Sequence, residues 1–138
     1  MTKGDFVLIN GEFFETSSPY LKENRSFMYG DGLFESIRVI NGVPFNLENH
    51  ILRMLEGAKI LGIKTPPHYT TDYFYTQIKH LLDKNSIKAG GRVRLSVYRN
   101  DGGYYKATND TSSYLITADL LPHNLYKMNE EGLLIDVY

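Results

Sequence analysis

The chain has 138 residues, 42% hydrophobic and 22% charged, the proportions of one globular domain able to bury about two-thirds of its unfolded surface. A formal net charge of -1 excludes a sequence-independent electrostatic grip on nucleic acid, and the absence of cysteine excludes disulfides, thiolate nucleophiles and Cys-ligated zinc. No apolar run approaches the ~18 residues of a membrane helix and no apolar signal segment follows Met1-Thr2-Lys3, so a soluble, cytoplasmic protein is expected.

Residues 6–14 read as a short hairpin with Asn10-Gly11 at its turn, and Ser17-Ser18-Pro19 breaks the pattern. Tyr29-Gly30-Asp31-Gly32 is a turn before a strand at 33–40, which is rich in β-branched and aromatic residues. Asn41-Gly42 is a second hairpin turn, returning into Val43-Pro44-Phe45. Asn46 is placed to cap a helix whose apolar face is Leu47, Ile51, Leu55, Ala58 and Leu61, with Gly62 as its stop. A second helix starts after Thr70 or Thr71, presents Phe74, Ile78, Leu81 and Leu82 to a core, and closes at Asn85. Residues 92–98, 114–120 and 133–138 read as three further strands. Strand pairs before and after one helical block predict an α+β fold, a mostly antiparallel sheet with two helices packed on one face.

Local pattern alone gives the charged positions ordinary roles. Tyr29-Gly30-Asp31-Gly32 precedes a strand and not a helix, which separates it from the dinucleotide and Walker phosphate loops. His50 and Arg53 stand one helical turn apart on the polar side of the first helix, where an arginine is commonly a solvated charge. Alternation puts Arg92, Arg94, Ser96 and Tyr98 on one wet face of a strand. His50, His68, His80 and His123 show no paired spacing with carboxylates, so no metal site is expected.

The segment Arg25-Ser-Phe-Met-Tyr-Gly-Asp-Gly-Leu-Phe-Glu-Ser-Ile-Arg-Val39, followed by Asn49-His-Ile-Leu-Arg53, resembles the N-terminal signature of the class IV (fold-type IV) pyridoxal-phosphate enzymes. These are the branched-chain and D-amino-acid aminotransferases and the aminodeoxychorismate lyases. The resemblance implies that Arg53 binds the phosphate of pyridoxal phosphate, a role suited to a permanently charged planar fork of donors, while His50 braces the helix. It implies a substrate pocket with Tyr29 and Phe34 as aromatic walls. Arg38, four residues along the same strand face, would look into it. Arg94 would join the pocket, and Arg99, pointing the other way, would serve a neighbouring subunit. Asp101-Gly102-Gly103-Tyr104-Tyr105-Lys106 resembles the loop that sets specificity.

The same resemblance implies an amino-acid or 2-oxo-acid substrate and a homodimer, while charge and hydropathy lead to the expectation of neither a nucleic-acid nor a membrane partner. It also places the lysine that holds the cofactor covalently, and a glutamate facing the pyridine nitrogen, in a second domain. None of the lysines here, Lys127 being the last, matches the family position. Residues 1–138 are therefore expected to be the N-terminal half of a two-domain enzyme, inactive alone. Amino-group transfer is the expected chemistry; lyase chemistry of the same family and a non-catalytic binding module are the alternatives.

Overall fold

A computed structural model describes residues 2–17, 24–126, 130–132 and 134–136. Among these residues the strands are β1 (Thr2–Lys3), β2 (Phe6–Ile9), β3 (Glu12–Glu15), β4 (Gly32–Ile40), β5 (Val43–Pro44), β6 (Gly91–Arg99) and β7 (Ser112–Leu120). They form one seven-stranded sheet in the order β3-β2-β7-β6-β4-β5, and β1 also pairs with β7. These pairings are antiparallel. Both predicted hairpin turns form. Asn10 and Gly11 take φ of 49° and 92°, and Asn41 and Gly42 take 51° and 69°. Paired positive φ is the two-residue turn whose twist matches that of its strands. At Gly42 a Cβ would also lie 2.9 Å from the Lys88 carbonyl oxygen, so glycine is required twice over.

The period-two pattern sorts the long central strands into two faces. Leu33, Glu35, Ile37 and Val39 of β4, Val93, Leu95 and Val97 of β6, and Tyr114, Ile116 and Ala118 of β7 turn toward the helices. Helix α2 (Leu47–Ile60) covers them with Leu47, Ile51, Met54 and Ala58, and α3 (Thr71–Lys84) with Phe74, Ile78, Leu81 and Leu82. The opposite sheet face carries Phe34, Ser36, Arg38, Arg92, Arg94 and Ser96 and is largely open. This is the predicted α+β arrangement. Among the described residues no helix is long and apolar enough to cross a membrane.

Four details depart from the sequence reading. A five-residue helix, α1 (Arg25–Tyr29), precedes β4; Asn24 caps it by accepting from Phe27 N, and Gly30 ends it at φ 65°. It is too short to leave a periodic signal. Leu61 is the C-cap of α2 and exposed, while the fully buried Met54 completes the stripe, because 47, 51, 54 and 58 track 3.6 residues per turn better. Asn46 occupies the N-cap position in the left-handed region, at φ 54°, and its side chain caps nothing; it accepts from Asn49 instead. The strand expected at 133–138 is not seen at 134–136, where Leu134 and Ile135 are exposed and irregular. Residues 133, 137 and 138 lie outside the described residues, as do Ser18, Pro19 and Lys127.

The two N-caps yield a contrast. Thr70 Oγ1 accepts from Tyr73 N at 3.2 Å, so Thr70→Ala is expected to lower stability by about 1 kcal/mol. Asn46 is needed for its φ and not for a cap oxygen, so Asn46→Gly should stay within about 0.5 kcal/mol of the parent. Urea denaturation of both variants checks the pair.

Candidate functional site

A buried carboxylate sits on the helix-facing side of β4. Glu35 is 4% exposed, between Leu33 and Ile37, at a position where alternation calls for an apolar side chain. It is held by two residues of α2. Arg53 donates from Nε to Oε1 at 2.8 Å and from Nη2 to Oε2 at 2.5 Å, a two-point pairing of fork and carboxylate. His50 Nδ1 lies 2.7 Å from the same Oε2, and beside an ionised carboxylate that nitrogen carries the proton. His50 therefore braces helix to strand. Arg53 remains 70% exposed, and its Nη1 makes no hydrogen bond to a described residue. A fixed guanidinium with two outward N–H donors suits a phosphate, so the residues present fit the phosphate end of pyridoxal phosphate.

The open sheet face gathers a second group. Arg94 lies over the Phe34 ring with its guanidinium carbon 3.5 Å from the centroid, a diagonal contact set by the register of Phe34 with Ser96 and Ser36 with Arg94. Arg38 shares that face, but its Nη2 donates to the carbonyl oxygens of His123 and Leu125, the latter at 3.0 Å. Its guanidinium also packs on Tyr126, 5.4 Å from the ring centre. Arg38 thus holds the chain that leaves β7. Its Nε is buried without a partner among the described residues. Tyr29, at the end of α1, packs edge-on to Tyr105 at 6.0 Å.

Arg99 is not brought to either group. It faces the helix side, 12% exposed, where Nε donates to Asp31 and Nη1 and Nη2 donate to the carbonyls of Gly62 and Leu61 at 2.9 and 2.8 Å. With its three nitrogens engaged it closes the C-terminus of α2, where carbonyl groups lack intrahelical partners. Asp31 also accepts from Arg25 Nε at 2.9 Å. Arg25 is buried, and its Nη1 donates to three successive carbonyls, Gly102, Gly103 and Tyr104, at 2.9 to 3.0 Å. Arg25 and Glu35 were not singled out in the sequence. Glu35 had a visible signal, as the lone charge at an inward position of an apolar strand; Arg25 had none.

With that geometry in place the relatives are informative. A family profile described as amino-transferase class IV matches residues 32–137. A D-alanine aminotransferase of Bacillus licheniformis is 36% identical over 86 residues, 62% of this chain and 30% of that protein. An aminodeoxychorismate lyase of Bacillus subtilis is 31% identical over 143 residues, 95% of this chain and 45% of that protein. The fold matches a branched-chain aminotransferase structure from Thermoproteus uzoniensis with a TM-score of 0.71 at 24% identity, over 85% of this chain and 41% of that one. The chain belongs to the class IV aminotransferase family. It spans less than half the length of these relatives.

The Glu35 cluster makes stability depend on pH. The hydrogen bond from Arg53, helped by His50 and opposed by burial, holds the Glu35 carboxyl below its ordinary value of 4.5. A depressed carboxyl contributes stability above its unfolded pKa and loses it as pH falls through the folded value. Urea denaturation at a series of pH values is expected to show stability falling below pH 4.5. Glu35→Gln, which cannot titrate, should show a shallower decline over the same range.

Proposed function

We propose that this chain is the N-terminal domain of a pyridoxal-phosphate enzyme that transfers an amino group between an amino acid and a 2-oxo acid. The observation that carries the reading is Arg53, clamped by a buried Glu35 with Nη1 left outward, in a chain of the class IV family. When bound, pyridoxal phosphate supplies an electron sink for bond cleavage at the substrate α-carbon. In this reading Arg53 holds the phosphate. The Phe34–Arg94 pair offers an aromatic wall and a cation to a substrate carboxylate, and Tyr29 offers a second aromatic wall. The covalent lysine comes from a second domain, which fits a chain covering 30% to 45% of its relatives, and residues 1–138 alone are inactive. The absence of cysteine agrees with a reducing compartment, the cytoplasm.

Lyase chemistry is the second reading, favoured by an alignment with the aminodeoxychorismate lyase that runs over 95% of this chain, against 62% for the D-alanine aminotransferase. Assaying the full-length gene product for cleavage of aminodeoxychorismate and for D-alanine transamination separates the two.

Charge-assisted hydrogen bonds contribute roughly 1.5–3 kcal/mol each, so Arg53→Ala in the full-length product should weaken pyridoxal phosphate binding by about tenfold or more. Arg53→Lys should recover only part of this, because the planar fork is lost. Unchanged affinity in a folded Arg53→Ala protein removes the assignment.

We also propose that the domain self-associates as a homodimer. Phe27 and Met28 on α1 are 74% and 62% exposed, and Tyr104 and Tyr105 are 82% and 95% exposed on the loop that Arg25 anchors beside it. Apolar surface gathered in this way favours association. Light scattering at micromolar concentration is expected to report a dimer; a monodisperse monomer would count against it.

A further inference from the structure

We infer that Glu35 is a positioning residue, which fixes the Arg53 guanidinium so that one edge is presented to an incoming phosphate; this rests on the reading of Arg53 as the phosphate anchor. The position of Glu35 in β4 makes the case. Its neighbours on the same face, Leu33, Ile37 and Val39, serve the core, and packing alone would be met by another apolar residue there. A carboxylate buried among apolar side chains is a poor substitute for apolar packing as a source of stability, even when it is paired. It does supply orientation. An arginine on a helix surface has many rotamers, and a ligand that binds it must freeze them. Here they are already frozen, since Glu35 takes Nε and Nη2 together, which fixes the plane and direction of the fork and leaves Nη1 outward.

The carboxylate is itself fixed. Its Oε1 accepts from Arg53, and its Oε2 accepts from both Arg53 and His50, so neither oxygen is free to rotate away. The three residues span one strand and one helical turn, and α2 is held against β4 by the apolar stripe of Leu47, Ile51, Met54 and Ala58. Each member thus stands on a rigid element, as a preorganised site requires. One effect opposes the inference: the negative charge of Glu35 reduces the net attraction of Arg53 for an anion. Orientation and charge predict opposite signs for the same substitution, which makes the inference decidable.

The test uses the full-length gene product, freed of cofactor and titrated with pyridoxal 5′-phosphate and, separately, with pyridoxal, which lacks the phosphate. Dissociation constants are read from the change in protein fluorescence. Glu35→Gln keeps the size of the side chain but has one acceptor oxygen in place of two, so the two-point pairing with Nε and Nη2 is lost. It is expected to weaken pyridoxal 5′-phosphate binding by about tenfold and to leave pyridoxal within about twofold. The double variant Glu35→Gln/Arg53→Ala should bind no more weakly than Arg53→Ala alone, because Glu35 acts through Arg53.

Unchanged or tighter binding of pyridoxal 5′-phosphate to Glu35→Gln overturns the inference. So does an equal loss for pyridoxal, or a loss in the double variant that multiplies those of the singles. If Arg53→Ala weakens binding and Glu35→Gln does not, positioning falls and the phosphate anchor stands. If Arg53→Ala has no effect, the anchor falls and positioning with it. Should Glu35→Gln fail to fold, as judged by thermal unfolding, Glu35→Asp takes its place. Aspartate keeps the charge, is one methylene short of a two-point contact, and should show the same selective loss.

Discussion

Asp31 accepts from Arg25 and Arg99 at once, and that shared carboxylate ties together segments that lie on both sides of the site. Arg25 belongs to α1 and reaches the carbonyls of 102–104; Arg99 ends β6 and reaches those of Leu61 and Gly62 at the end of α2. The backbone joins in, as Arg99 N donates to Asp31 O at 3.1 Å. One short turn thereby ties a helix start, a helix end, a strand and a loop. Arg25 and Arg99 are both substantially buried, so losing the carboxylate would leave two cations in a poorly solvated place. Breaking a buried pair in this way costs on the order of 3–5 kcal/mol. The aspartate of Tyr-Gly-Asp-Gly is accounted for by this tie. It is structural, and through Arg99 it holds the end of α2, the helix that carries His50 and Arg53.

The elements were legible in the sequence where a short-range rule governs them. Asn-Gly pairs marked both hairpins, and the spacing of Phe74, Ile78, Leu81 and Leu82 marked α3 because all four are buried. Strand alternation put Phe34 and Arg38 on one face of β4 and Arg94 on one face of β6, and the pairing of the two strands brings those faces together. What was not legible depends on contacts between distant segments. The partner of Arg53 lies 18 residues earlier in the chain, and the carbonyls that Arg25 serves lie 77 to 79 residues later. No periodicity reports such a contact. Arg99 shows the limit from the other side: its parity along β6 gave the correct face, but the carbonyls of Leu61 and Gly62 that absorb it appear only once α2 is packed.

Strand β4 joins the two halves of the candidate site by parity alone. Glu35 turns inward to hold Arg53, while Phe34 and Arg38 on either side of it turn outward. An eight-residue register with β6 fixes both sets together, so Glu35 and Phe34 cannot move independently. This division explains why a bare motif match implies more residues in one pocket than the fold assembles on one face of a single chain. Arg53 and Phe34 lie on opposite sides of the same sheet.

Arg38 extends the reach of that strand to the chain leaving the sheet. After β7 the backbone crosses the β4–β5 turn. There Arg38 binds the carbonyls of His123 and Leu125, and Asn41 and Asn124 exchange hydrogen bonds between side chain, backbone and side chain. Phe45 packs edge-on to Tyr126 at 6.4 Å, and a Cβ at Gly90 would lie 2.5 Å from the His123 carbonyl, so the crossing is close as well as bonded. A cation that the motif alone assigns to substrate therefore stabilises the path of the main chain. Its Nε is buried and has no acceptor among the described residues. The strand that carries Glu35 and Phe34 thus also fixes the path that the chain takes as it leaves β7.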